Sequence, residues 1–284
     1  MQKTRKDTMP SHTTEFIGRF RCRWLQPFKA PAKTTAIVLA GGPGLSPDYM
    51  LPWARHFARQ RSLNLALIEY PVISDGETLT TAQKYELFKD ALLAIFKRIA
   101  GDSPPILIGH SFSCRVLLDL QASRELEASA LILLNCPATF ISSASFRRAA
   151  KKLRLPASIE SEKSFRSYWK RILPLYFHVP MKKSWERALA RRTSWMRCSW
   201  LTDIVRDEVS APSRDRDIPV LFIHGANDLR FPKANRNILR GAFRESTHVS
   251  LGMCGHFPML ESPRNLFQEA VFFLDKIKPR VRQS

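Results

Sequence analysis

Cysteine is scarce in this chain, with five residues in 284, at Cys22, Cys114, Cys136, Cys198 and Cys254. The number is odd and no two form a C-x-x-C pair, which excludes a disulfide framework and a cysteine zinc site as organising features. Long apolar runs are missing too. None approaches the roughly 20 residues that span a bilayer, and Met1 to Ser11 holds no apolar signal core. A soluble protein in a reducing, cytoplasmic setting is expected, with no transmembrane segment. Neither G-x-x-x-x-G-K-[ST] nor G-x-G-x-x-G occurs, and no metal-ligand spacing is present, so neither a cofactor nor a metal is expected.

Acidic residues are few. Lys and Arg number 45 against 25 Asp and Glu, a formal net charge of +20. Such an excess favours acidic partners in general, whether nucleic acid, anionic lipid or an acidic carrier protein, and does not choose among them.

What is present is an alternation of apolar runs and amphipathic segments. Residues 1–14 are polar and basic without periodicity and are expected to form a loose tail. From Glu15 to Gln26, Phe16, Phe20, Cys22 and Trp24 partly alternate with Arg19, Arg21 and Arg23, as in a half-exposed strand near a sheet edge. Apolar runs at Thr35–Ala40, Leu63–Val72, Ile106–Ile108, Ala128–Leu134 and Ile218–Ile223 are predicted strands, with a shorter one at Val249–Leu251. Helices are predicted at Tyr49–Gln60, at Thr81–Ala100 with Gly101 as its cap, beyond the Ile106 strand, at Asn235–Phe243, and after Ser262-Pro263. Alternation of this kind implies a mostly parallel sheet with helices on both faces. It stops between about Phe140 and Pro212, where basic and aromatic residues interleave. The expected organisation is therefore an α/β core of residues 15–139 and 213–284, with a helical cap at 140–212. On a cap helix, aromatics more often face the core while charges are solvated, so nucleic-acid binding is not expected.

The stretch Ile106-Leu107-Ile108-Gly109-His110-Ser111-Phe112-Ser113 is a buried strand that ends abruptly in Gly109 and a small polar residue. A Ser at a tight strand-to-helix turn has its hydroxyl pushed out of the sheet, as in a G-x-S-x-G nucleophile elbow. Gly109 and Ser111 match that pattern; Ser113 stands in place of the second Gly. The strand at Thr35 runs into Gly41-Gly42-Pro43-Gly44, where glycines leave backbone N–H groups facing open space, as an oxyanion hole requires. The N–H groups of Gly42 and Phe112 are the expected donors.

A serine hydroxyl needs a contacting base, and that base needs an orienting carboxylate. His256 and Asp228 each follow a predicted strand, where parallel sheets place their sites. The order Ser111, Asp228, His256 is that of α/β hydrolases, not of the other serine-protease folds. His110 and His224 are expected to be structural.

Together these residues resemble the α/β-hydrolase superfamily over nearly the whole chain from about residue 15. Gly41-Gly42-Pro43-Gly44, Gly225-Ala226-Asn227-Asp228 and Gly255-His256-Phe257-Pro258 look like its proline iminopeptidase branch (peptidase S33) in particular. The resemblance implies an α/β-hydrolase fold with a helical cap and a cofactor-independent serine hydrolase that cleaves an ester, thioester or amide through an acyl-enzyme at Ser111. The substrate would be a small-molecule or carrier-bound acyl group. The branch recognises a free substrate amine with cap carboxylates, whereas this cap is strongly basic, and Glu160, Glu162 and Glu186 are its only Glu residues before the closing segment. An aminopeptidase, an acyltransferase, and a catalytically silent fold that binds an acidic partner through its cap are the alternatives.

Overall fold

A computed structural model describes residues 13–25, 34–42, 44–71, 79–123, 126–138, 142–156, 158–190, 193–194, 218–231, 234–240 and 246–277. Eight strands form one sheet: β1 (Thr13–Ile17), β2 (Phe20–Leu25), β3 (Thr35–Leu39), β4 (Asn64–Glu69), β5 (Ile106–His110), β6 (Ala130–Leu134), β7 (Val220–Gly225) and β8 (Ser246–Leu251). Their spatial order is β1-β2-β4-β3-β5-β6-β7-β8. β2 runs antiparallel to both β1 and β4, and every other pairing is parallel.

Strand residues alternate between two cores. Ile37, Leu39, Leu107, Leu131 and Leu133 face the helices α2 (Thr81–Ala100) and α3 (Phe112–Ala122). Ala36, Val38, Ile106, Ile108 and Ile132 face α1 (Leu51–Arg61) and the C-terminal helix. Burial on both faces is why these strands read as continuous apolar runs instead of alternating ones. Each fully buried Leu or Ile contributes roughly 1.5–3 kcal/mol, so the pattern of burial outweighs local propensity in fixing the strands.

Three further described helices lie between β6 and β7: α4 (Ala144–Lys151), α5 (Glu162–Ile172) and α6 (Lys183–Ala190), with a 3-10 turn at Leu173–Tyr176. The aromatics of this segment turn inward. Phe146, Phe165 and Phe177 are buried and Trp169, Tyr176 and Trp185 half-buried, while all twelve Lys and Arg of residues 142–190 are exposed. The elements α7 (Ala234–Arg240), α8 (Pro258–Glu261) and α9 (Pro263–Lys276) complete the described chain. No helix among the described residues is long and apolar enough to cross a membrane.

The N-terminal strand departs from its prediction. It is a hairpin that turns at Gly18, whose φ of +57° suits glycine, and it begins at Thr13, taking in two residues assigned to the tail. The turn resets the alternation, so Phe16 is exposed while Phe20 and Cys22 are buried. Arg23, expected on the open face, is buried and pairs with Asp48 at 2.6 Å. Residues 1–12 and 195–217 lie outside the described residues, as do Pro43 and Cys198.

Candidate active site

The carboxyl ends of β5, β6 and β7 and the loop after β8 converge on one point. β5 ends at His110, and Ser111 joins it to α3 with φ 52° and ψ −113°, a backbone conformation few side chains adopt. The turn holds because the Ser111 N–H donates to the Leu134 carbonyl at 2.8 Å. Gly109 eases the approach, since a Cβ there would lie 3.0 Å from Leu117 Cδ1 and 3.1 Å from the Cys114 nitrogen, tighter than side chains usually pack. Gly109 thus carries the close strand-to-helix approach of the elbow.

The second elbow glycine is replaced by a side chain that is hydrogen-bonded on both sides. Ser113 is fully buried, its hydroxyl donates to the Ala40 carbonyl, and it lies 2.5 Å from the Tyr70 hydroxyl. A side chain fits there because its oxygen joins β3 to the elbow.

His256 follows β8 and brings Ser111 and Asp228 together. Its Nε2 is 2.9 Å from Ser111 Oγ and its Nδ1 is 2.7 Å from Asp228 Oδ2. A carboxylate accepts only, so Nδ1 carries the hydrogen and Nε2 offers its lone pair to the Ser111 hydroxyl. The Asp228 side chain is buried with three donors: His256 Nδ1 and Asn135 Nδ2 on Oδ2, the latter also at 2.7 Å, and the Arg230 N–H on Oδ1 at 2.8 Å. Burial pushes its carboxyl pKa up, but the facing imidazole and these hydrogen bonds outweigh it and the net direction is down. The carboxylate is therefore held ionised against His256.

The loop before His256 sits unusually close to β7. A Cβ on Gly225 would lie 1.9 Å from the Gly255 carbonyl oxygen and 2.5 Å from that of Cys254, so only glycine admits this approach. Glu261 ties the loop from below, with Oε1 accepting from the N–H groups of Gly255 at 3.0 Å and Phe257 at 3.4 Å, and Oε2 from His178 at 2.8 Å. The His256 N–H donates to the Tyr176 carbonyl at 2.7 Å, and the Tyr176 and Phe231 rings lie 5.2 and 5.3 Å from the imidazole.

Gly42, at φ +62°, begins a turn in which the Leu45 N–H donates to the Gly42 carbonyl at 3.1 Å. The neighbouring Gly41 N–H is committed to the Tyr49 hydroxyl at 2.6 Å, and Phe112 opens α3 directly after Ser111. Asn135, Tyr49, Glu261 and Tyr176 were not legible as site residues in the sequence. Asn135 alone left a signal: a polar residue at the carboxyl end of a buried strand.

A family profile described as the alpha/beta hydrolase family matches residues 37–269. The chain belongs to that family. No protein of curated function matches it in sequence. Among solved structures, the chain is similar to a membrane phospholipase A described as a bacterial virulence factor (18% identity, TM-score 0.69, covering 95% of this chain and 87% of the other). It is also similar to a proline iminopeptidase-related protein of Thermus thermophilus (16%, TM-score 0.68, covering 94% and 99%). A third is a serine hydrolase of Cycloclasticus zankles (13%, TM-score 0.71, covering 95% and 99%). At these identities the structural likeness establishes the fold.

Proposed function

We propose that this α/β hydrolase is a serine hydrolase that cleaves a carboxylic ester, thioester or amide through an acyl-enzyme at Ser111, with no cofactor. The observation that carries it is the single line from Ser111 Oγ through the His256 ring to the Asp228 carboxylate, at 2.9 and 2.7 Å. Ser111 Oγ attacks the carbonyl carbon while its proton passes to His256 Nε2. The N–H groups of Gly42 and Phe112 hold the oxyanion. Collapse expels the leaving group, which takes the proton from Nε2, and the same base then activates water to release the acid. Asp228 keeps Nδ1 protonated and stabilises the imidazolium.

Residues 140–212 serve as the cap that selects the substrate. Over 142–190 it carries twelve Lys and Arg against three Glu and no Asp. Such a surface suits an acyl group presented on an acidic carrier or an anionic molecule better than the free amine of a peptide. Glu162 is already engaged, accepting from the Ser194 hydroxyl at 2.7 Å. The buried thiols of Cys22, Cys114, Cys136 and Cys254 fit a reducing, cytoplasmic setting.

The test is reaction with a fluorophosphonate probe, read by intact mass. Wild type should take up one adduct, and Ser111→Ala and His256→Ala none. A folded wild type that stays unlabelled would overturn the proposal and leave the cap as a binding surface for an acidic partner. Among labelled outcomes, turnover of aminoacyl amides in preference to acyl esters and thioesters would select the aminopeptidase reading instead.

A further inference from the structure

His110, in the variable position of the elbow, is buried and makes two hydrogen bonds that join three loops. Its Nδ1 lies 2.7 Å from the Tyr49 hydroxyl, and its Nε2 lies 2.8 Å from the carbonyl oxygen of His256, 146 positions along the chain. Tyr49 in turn accepts from the Gly41 N–H at 2.6 Å. A carbonyl cannot donate, so Nε2 must carry the ring hydrogen, and Nδ1 must accept from Tyr49. Every donor in the chain then meets one acceptor: Gly41 N–H to Tyr49, Tyr49 O–H to His110, His110 N–H to His256.

We propose that His110 is a positioning residue of the hydrolase site, which, with Tyr49, locks the glycine loop, the elbow and the His256 loop into one register. It rests on the hydrolase reading above. The lock acts on both sides of the reaction. On one side, it draws the Gly41 N–H away towards Tyr49, leaving the oxyanion to the next residue, Gly42. On the other, it pins the His256 main chain from the elbow side, while Tyr176 accepts its N–H from the cap side at 2.7 Å. The residue whose ring bridges Ser111 and Asp228 is thereby held through both of its main-chain polar groups. Gly41 is part of the device, since a Cβ there would lie 2.2 Å from His110 Nδ1.

Protonation is incompatible with the lock. A second ring hydrogen on Nδ1 would face the Tyr49 hydroxyl, which would have to turn its own hydrogen into the Gly41 N–H. Burial first, and the adjacent His256 second, push the His110 pKa down to about 3, against the hydrogen bond to the His256 carbonyl and the charge of Asp228. The ring therefore stays neutral while His256 exchanges its proton during turnover.

The experiment compares His110→Phe, His110→Gln and Tyr49→Phe by steady-state kinetics on an ester that labels the wild type, and reads the His110 tautomer by 15N NMR. Loss of both hydrogen bonds in His110→Phe should lower kcat by about 10- to 100-fold with KM within about twofold, as expected for a small misplacement of the base. The Gln amide presents an acceptor and a donor at a separation like that of the ring nitrogens, so His110→Gln should recover most of kcat. Tyr49→Phe should fall between. Wild-type kcat in a folded His110→Phe, or a His110→Gln no better than the Phe variant, would overturn the proposal. Should His110→Phe not fold, wild-type kcat in Tyr49→Phe would overturn it. The NMR reading does not need activity: a hydrogen on Nδ1 of His110, or titration of that ring near pH 6.5, overturns the lock. An unlabelled wild type whose His110 carries only the Nε2 hydrogen supports the lock while overturning the hydrolase reading.

Discussion

Asn135 donates from Nδ2 to Asp228 Oδ2 at 2.7 Å, and the same nitrogen lies 3.2 Å from the Gly255 carbonyl oxygen. It occupies the first position after β6 with a φ of 47° and is completely buried. One amide thus holds the carboxylate and the His256 loop together, at a backbone position where Asn is among the few side chains tolerated.

Replacing that amide with a carboxylate reverses its effect. Asn135→Asp would set two buried carboxylates against one another, and one of them must take a proton. We expect probe labelling to slow by about two orders of magnitude or more, approaching the roughly 10⁴-fold loss expected for Asp228→Asn, which favours the wrong His256 tautomer. Labelling of Asn135→Asp at the wild-type rate would show that Asn135 does not orient Asp228.

Gly225 and Gly252 form a matched pair. A Cβ at Gly225 collides with the carbonyl oxygens of Gly255 and Cys254, whereas at Gly252 nothing lies within 4 Å. Gly225→Ala must push the His256 loop away from β7, because the obstacles are backbone and cannot swing aside. Overpacking of this kind costs about 1–3 kcal/mol, and the displaced His256 should lose contact with Ser111. Gly252→Ala should match wild type in both urea midpoint and labelling rate. Equal behaviour of the two variants would contradict the close approach.

Ser113 tests how much of the elbow needs a second glycine. Ser113→Gly restores the common pattern and should keep the labelling rate, since Gly109 carries the close contact. Ser113→Val replaces the hydroxyl with two methyl groups and removes the partner of the buried Tyr70 hydroxyl, so overpacking and the unpaired hydroxyl together should cost at least about 1–3 kcal/mol in urea unfolding. A Ser113→Val variant as stable as wild type would mean that the link from Ala40 to Tyr70 contributes nothing.

Stability should fall on acidification through the histidine range. His110 is pushed down to about 3, chiefly by burial, and His248 to about 4 by burial and by Arg240. In the unfolded chain each takes a proton near pH 6.5. Above that pH neither state is protonated and there is no slope. Below it the unfolded state binds protons that the fold refuses, so His110 alone removes up to about 1.4 kcal/mol per pH unit. Asp228, whose carboxyl is held low, contributes in the same direction only at the acid end of that window. Urea midpoints between pH 7 and pH 5 should drop in the wild type and drop less in His110→Gln. Parallel slopes would show that His110 is already charged or exposed in the fold.

The chain's own order of residues was enough to locate the strands of the core and to single out Ser111, Asp228 and His256. Parallel strands covered on both faces leave continuous apolar runs, and groups that can do chemistry are left at their carboxyl ends, where the runs break. α2 was legible to both ends, because Thr80 and Gly101 cap it locally: Gln83 N–H donates to the Thr80 hydroxyl, and the Gly101 N–H to the Lys97 carbonyl. The hairpin at Gly18 and the burial of Arg23 were not, since a turn of two residues shifts the alternation and the ion pair needs Asp48 from another element. The supports of the site were hidden for the same reason on a larger scale. His110 reads as an incidental elbow residue and Asn135 as the end of a strand until the fold brings them against His256 and Asp228, 146 and 93 positions away. Local sequence sets which residues can be strands, helices and caps; which lone pair meets which N–H across the loops is decided only by the packing that brings the loops together.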